Sequence, residues 1–185
     1  MARLFSYVVE HDEGCAPNPF GRYCTLAHCK FSGTGKKPNV VELANEGDWI
    51  VGTGGANLRK SSGHGTIVYA MKVTDKLSLN DYLRACKFRG RADCHDGPRS
   101  SKRFALISED FYYFGRMAKP IPSRFNEPHR LEKRGPGFRS DFDEAFVARF
   151  ETWLRNKFRR GVHGAACRPT SASATPKKCQ RNPCS

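Results

Sequence analysis

The chain lacks any apolar run of about 18 residues, which excludes a membrane-spanning helix on hydropathy grounds. Its mean hydropathy is −0.62. It does not open with a basic stretch followed by an apolar core, so no secretory signal is expected. No internal repeat is visible, which argues against a solenoid or propeller. No Gly-Lys-Ser/Thr follows the Gly-rich stretch at Gly52–Gly55 with the spacing of a phosphate loop, and no convincing helix follows it to complete a dinucleotide fingerprint. Acids are scarce, at 18 Asp and Glu against 32 Lys and Arg. The last of them is Glu151, and eight Lys or Arg follow from Arg155 onward. The net charge of +14 therefore leaves +6 on residues 1–154, which is still basic. A basic domain attracts polyanions, with nucleic acid or a nucleotide the leading partner. A solvated basic surface also serves solubility.

Eight cysteines are present, at Cys15, Cys24, Cys29, Cys86, Cys94, Cys167, Cys179 and Cys184. With no signal segment expected, they read as reduced thiols in a cytoplasmic setting. Cys24 and Cys29 stand off the usual zinc spacing, and no Cys-x-x-Cys completes a ligand set, so neither metal nor cofactor is expected. The tail from Arg168 to Ser185 is Pro, Ser, Thr and Lys with almost no apolar content, and reads as disordered. The folded unit is then 1–167.

Strand patterns occupy Leu4–Glu10, Trp49–Gly52, Thr66–Val73, Phe104–Ser108 and Tyr112–Gly115. Ser78 begins a short helix through Ala85, with Asp81 three residues on as in a capping box. The longest helix spans Asp141 to Arg159, with Ser140 as cap, Asp143 at its third position and Gly161 as its stop. Its stripe of Phe142, Phe146, Phe150, Trp153, Leu154 and Phe158 has helical spacing and reads as core. Strands and helices do not alternate regularly, so the expected class is α+β. The expected architecture is a curved, mostly antiparallel sheet or small β barrel with flanking helices.

Site-type residues concentrate between Leu4 and Lys30. A strand ends on His11 and Asp12, a Pro-rich turn follows, and Cys24, Thr25, His28 and Cys29 come next. His11 and Asp12 suit proton transfer, and Cys24 could serve as a nucleophile with a histidine base. Inert, half-buried thiols are the commoner case. A second candidate is the turn and strand Gly47–Gly55, where Gly-Thr-Gly-Gly allows close backbone approach to a ligand. Trp49 there is either core or a base-stacking ring. A third is the aromatic run Tyr112–Phe114 with Arg116, leading into a basic Gly/Pro loop. The acidic first turn of the long helix repels phosphate, so an anion in that loop falls to Lys133, Arg134 and Arg139.

Together the segments LFSYVVEHDEGCAPNPF, CTLAHCK, GDWIVGTGG, GTIVYAMKVTDKLSLNDY, YYFGRMAKPIP and LEKRGPGFRS, with the aromatic helix and Gly161–Gly164, resemble the bacterial and phage nucleotide modification associated domain of type two. The resemblance covers residue 3 to about residue 167. By it, His11, Asp12, Asn18, Cys24, Thr25, Cys29, Lys30, Asp48, Trp49, Thr53, Tyr69, Phe114, Lys133, Arg139 and His163 occupy motif positions. Cys15 and His28 look particular to this sequence, and the segment after Cys29 is long for the family. The strand pair Gly-Asp-Trp-Ile-Val and Gly-x-Ile-Val-Tyr-Ala-Met is similar to PUA-like barrels, by analogy only. The resemblance implies a role near modified nucleotides, either reading or enzymatic. As a reader, Trp49, Tyr69 and Phe114 would wall a modified base, probed in DNA by Asp48, Asn18 and Thr53. Thr25 and Lys30 would add ligand contacts, and Lys133, Arg134 and Arg139 would hold phosphate. As an enzyme, His11, Asp12 and Cys24 would carry the chemistry.

Overall fold

Leu4–Val9 (β1) is buried at every position, which requires cover on both faces and explains its unbroken apolar run. The computed structural model describes residues 1–27, 30, 37–88, 103–127 and 131–168. After β1 come β2 (Asn18–Phe20), β3 (Tyr23–Leu26), α1 (Val40–Leu43), β4 (Trp49–Gly54), β5 (Thr66–Lys72), β6 (Asp75–Ser78) and α2 (Leu79–Arg84). Then follow β7 (Phe104–Ser108), β8 (Asp110–Tyr113), β9 (Lys119–Pro120), β10 (Phe138–Arg139), α3 (Glu144–Lys157) and β11 (Gly161–Val162).

These strands form two sheets. The larger runs β10-β1-β4-β5-β8-β11, with β9 pairing to β5, and the smaller runs β2-β3-β7-β6. The class is α+β, but the larger sheet is mixed. Most strand pairs are antiparallel, as expected, and the smaller sheet wholly so, but the β1–β4 and β8–β11 pairs of the larger sheet are parallel. A parallel pair cannot be joined by a hairpin, and the crossover from β1 to β4 carries β2, β3 and α1. That excursion supplies β2 and β3 of the second sheet, which β7 and β6 complete, and a shared core stacks the two sheets face to face. No closed barrel forms among the described residues.

The layers follow from side-chain alternation. Leu4, Trp49, Val51, Ile67, Ala70 and Tyr112 face α3 and pack on its Phe146, Val147, Phe150 and Leu154. Phe5, Tyr7, Ile50, Tyr69, Met71 and Tyr113 face the other way, onto Cys24, Leu26 and Leu106 of the smaller sheet and Val40 and Val41 of α1. The outer face of the smaller sheet packs Ala105 and Ile107 on Leu79 and Tyr82 of α2. Each large side chain buried this way contributes about 1.5–3 kcal/mol.

Ser78 caps α2 by accepting from the Asp81 amide, as the pattern predicts. In α3 the cap moves: Asp143, expected at the third helical position, is itself the N-cap and accepts from the Phe146 amide at 2.6 Å. Asp141 is held outside the helix by Arg139, and Phe142 stacks on Phe146 with ring centroids 4.8 Å apart. The helix ends at an extended Phe158, and Gly161 (φ 111) instead opens β11. Gly52 is needed where it stands, because a Cβ there would collide with the Tyr69 ring. The expected tail lies outside the described residues from 169 onward, as do Cys29, His28, and the 128–130 part of the basic loop. Cys15 and Cys86 each take part in a disulfide, which corrects the reading of uniformly reduced thiols; Cys24 and Cys167 are free.

Candidate functional site

Strand direction decides where loops gather. The pairings β1–β4 parallel, β4–β5 and β5–β8 antiparallel, and β8–β11 parallel give β1, β4, β8 and β11 one direction. Their C-terminal ends therefore meet at one edge of the larger sheet, the usual place for ligand loops in sheets with parallel strands. His11 and Asp12 leave β1 there, Gly55 to Ser62 leave β4, Arg116 follows β8, and residues 163–168 follow β11.

Asp12 is the centre of this edge. It is completely buried. Tyr113 donates its hydroxyl to Asp12 Oδ1 at 2.6 Å, and the Cys167 amide donates to Oδ2 at 3.0 Å. The Asp12 amide donates to the Lys60 carbonyl, and its own carbonyl accepts from the Arg168 amide. Residues 165–168 thus form a strap across the end of β1. Arg116 fastens it by donating to the Ala166 and Cys167 carbonyls at 3.0 and 3.1 Å. Gly115 (φ 53) permits this, because a Cβ at that position would strike the Ala165 carbonyl. Ser61, also buried, accepts from the Gly55 amide at 2.9 Å and donates to the Val9 carbonyl at 2.5 Å, fixing the Gly-rich loop to β1.

The titratable groups around Asp12 keep their protons. Burial, reinforced by the Asp12 charge, pushes the Cys24 thiol far above its ordinary value. The same two causes raise the Tyr113 hydroxyl. Burial and Asp12 push the Cys167 thiol up to about 12. Neither thiol is a thiolate at neutral pH, so neither has the form that attacks an electrophile.

Beside the strap lies a cleft of about 520 Å³, lined by Leu58, Arg59, Ser61, Ser62, Arg116 and Cys167, with Ala118. That volume is in the range of small-molecule sites. Leu58 is 75% exposed at its rim. Among the described residues, neither Arg59 nor Arg116 is paired with a carboxylate. Sequence reasoning singled out Arg116, beside the Tyr112–Phe114 run, but passed over Arg59 as a ligand contact, Tyr113 as a donor, and Cys167. Arg59, beside the Gly-rich stretch, carried a local signal.

The sequence-predicted residues divide between this edge and elsewhere. His11 and Asp12 lie at it, with His11 exposed and Asp12 buried. Thr53 reaches it from β4, donating to the Tyr7 carbonyl at 3.2 Å and touching the Lys133 backbone. Lys133 turns its ammonium onto the Arg134 carbonyl at 2.6 Å. Arg134 pairs with Glu132, and Arg139 with Asp141, so these two cations already have carboxylate partners. Tyr69 and Tyr7 share a hydroxyl hydrogen bond of 2.6 Å between the sheets, and the Lys30 ammonium lies 4.4 Å from the Tyr7 ring centroid. Cys24 is wholly buried in β3 and Asn18 pairs across from Thr25. Thr25 turns to the opposite face of the smaller sheet, where its hydroxyl meets that of Tyr82 at 2.9 Å.

Asp48, Trp49 and Phe114 are not brought to the cleft. Asp48 sits at the far end of the sheet, where it accepts from the Arg3 amide and guanidinium and from the Asn45 amide. Trp49 is buried against α3, its indole donating to Glu151 at 3.0 Å. Phe114 packs on Phe158 and His163 on the α3 side. His163 is further held by the Arg159 carbonyl. Among the described residues no group of three or more His, Cys, Asp or Glu could hold a metal. No helix among them is long and apolar enough to cross a membrane.

Two stacked sheets with a loop-built edge cleft, two arginines without carboxylate partners among the described residues, and a buried carboxylate beneath make up a small α+β domain. No curated protein and no solved structure matches the chain. The family profile described as nucleotide modification associated domain 2 matches residues 1–104 and 98–174. The chain therefore belongs to that family.

Proposed function

We propose that the protein binds a modified base or nucleotide, carried in DNA, as part of a nucleic-acid modification or recognition system. The cleft between the Gly55–Ser62 loop and the 165–167 strap is its binding site. The observation that carries this reading is the pair Arg59 and Arg116, two guanidinium groups on one concave surface that have no carboxylate partner among the described residues. Guanidinium groups suit phosphate because their forked donors match its oxygens. Leu58 and the loop backbone supply an apolar rim for the base. Membership of the family supports the nucleotide class of ligand.

The enzymatic alternative draws less support. Its nucleophile would be Cys24, which is wholly buried and holds its proton. Asp12 is already engaged by Tyr113 and the strap, which suits a positioning role better than proton shuttling.

Arg59→Glu tests the reading with deoxynucleoside monophosphates and modified-base oligonucleotides as probes. Arg59 is exposed, so the fold is retained. Binding is expected to weaken at least about tenfold, the effect of losing one charge-assisted phosphate contact. Wild-type affinity should fall as salt rises. Unchanged affinity in Arg59→Glu, or binding indifferent to salt, would overturn the assignment. Turnover of a bound nucleotide that survives in wild type and vanishes in Cys24→Ala would instead favour the enzyme.

A further inference from the structure

The outer face of α3 carries a second concavity of about 520 Å³, lined by Arg124, Arg149, Thr152, Trp153, Asn156 and Lys157. It lies apart from the edge cleft and shares no residue with it. Three cations and no carboxylate line it. All three are exposed, and among the described residues none pairs with an acid. The neighbouring cation Arg155 is different: it is spent on Asp110 and Glu151 at 2.6 and 2.7 Å. The groove cations thus have no acidic partner among the described residues to offset their mutual repulsion.

Their arrangement is regular. Arg149, Trp153 and Lys157 recur every four residues and form one stripe along the helix. Arg149 and Lys157 are about 12 Å apart along the axis, roughly the axial rise of three to four nucleotides. Arg124 joins from a neighbouring turn, its guanidinium 5.1 Å from the Phe125 ring centroid. Trp153 is fixed by contacts with Phe125, Phe150 and Phe158, so an aromatic edge stands rigidly among the cations. A basic groove with a fixed aromatic is the pattern that tracks a single strand.

We infer that this groove holds the phosphodiester backbone of a single nucleic-acid strand. Resting on the proposed function of the edge cleft, the inference makes the bound nucleotide one within a strand and not a free one. The groove itself is tested separately from the cleft.

The test uses the full chain and a single-stranded oligodeoxythymidylate of about 12 nucleotides, within the span of one such binding site. Affinity is measured by fluorescence anisotropy across a salt series. The triple variant Arg124→Glu, Arg149→Glu, Lys157→Glu is expected to bind at least about tenfold more weakly, with a log–log salt slope shallower by about 2 for three lost contacts. A charge-matched control, Lys37→Glu, Arg84→Glu, Lys87→Glu, should lose only a small part of that. If circular dichroism shows the reversal variant misfolded, the same three positions changed to Gln decide, in the same direction. Equal losses in control and groove variants would overturn the inference, as would an unchanged slope in the groove variant. Monophosphate binding at the edge cleft should survive the groove substitutions. Its absence in wild type would sink the cleft reading, while oligonucleotide binding lost only in the groove variant would still uphold the groove.

Discussion

Tyr113→Phe removes one hydroxyl and nothing else, and should destabilise the protein by about 3 kcal/mol. The ring is 1% exposed and its hydroxyl donates at 2.6 Å to a carboxylate that is itself wholly buried. A hydrogen bond to a charged group contributes about 1.5–3 kcal/mol net. Here the substitution also leaves Asp12 Oδ1 without that donor, where water does not reach it, which places the effect at the upper end. Against a total stability of about 5–15 kcal/mol for a domain, that is a large fraction. Urea unfolding of wild type, Tyr113→Phe, Asp12→Asn and the double variant measures it. Because Asn lowers the charge the hydroxyl serves, the double variant should cost less than the sum of the singles, with a coupling of about 1–2 kcal/mol. Hydrogen exchange should also report faster opening of the Cys167 and Arg168 amides in both singles, since both donate to Asp12. A cost below about 0.5 kcal/mol for Tyr113→Phe, or strict additivity, would refute the view that Asp12 holds this edge together.

Further outcomes follow from the same structure. Cys24, Cys167 and Tyr113 have raised pKa values in the folded state. Their contribution is complete below their unfolded values and is lost as pH rises beyond about 9, so stability should fall on the alkaline side. Cys24→Ala should remove up to about 1.4 kcal/mol per pH unit of that slope, measured by denaturation at fixed pH values. Glu151 behaves oppositely: burial would raise its pKa, but donation from Trp49, Arg155 and Lys72 outweighs burial and holds it at about 2. Its contribution is present above about 4.5 and lost as pH falls toward 2, on the order of 1–2 kcal/mol after solvent screening. Glu151→Gln should flatten that acid limb. Gly52→Ala drives a methyl into the Tyr69 ring and Val9 and should cost about 1–3 kcal/mol in thermal or urea unfolding, as overpacking does. A neutral result would mean that the Tyr7–Tyr69 pair has room to shift.

Local chemistry made part of this molecule legible. Continuous apolar runs marked β1, β4, β5 and β7, and the aromatic period marked α3. Ser78 announced α2. Asn39 and Glu42 carry an equally readable capping box for α1, a signal that was passed over. The short strands β2, β9, β10 and β11 have two or three residues each, too few for any period to show. Parallel pairing was also hidden, since it depends on where the crossover returns and not on any residue. At the edge, His11 and Asp12 were visible as polar residues ending a strand. What they meet was not, because Tyr113 lies 101 residues from Asp12 and Cys167 lies 155 away. Trp49 shows the converse difficulty: its alternation with Val51 fitted either face, and the α3 side took it.

The strap joins the last described residues to the first strand, and this sets an order of events during synthesis. β1, β4 and β5 can pair, and the smaller sheet can stack, while later residues are still being added. The Asp12 carboxylate, however, receives its amide donor only once Cys167 has left the ribosome. Until then the cleft has one wall, Arg116 has no strap carbonyls to grip, and the nascent chain has no finished binding edge. The binding edge is therefore finished only after residues 165–168 have emerged, after both sheets can have formed.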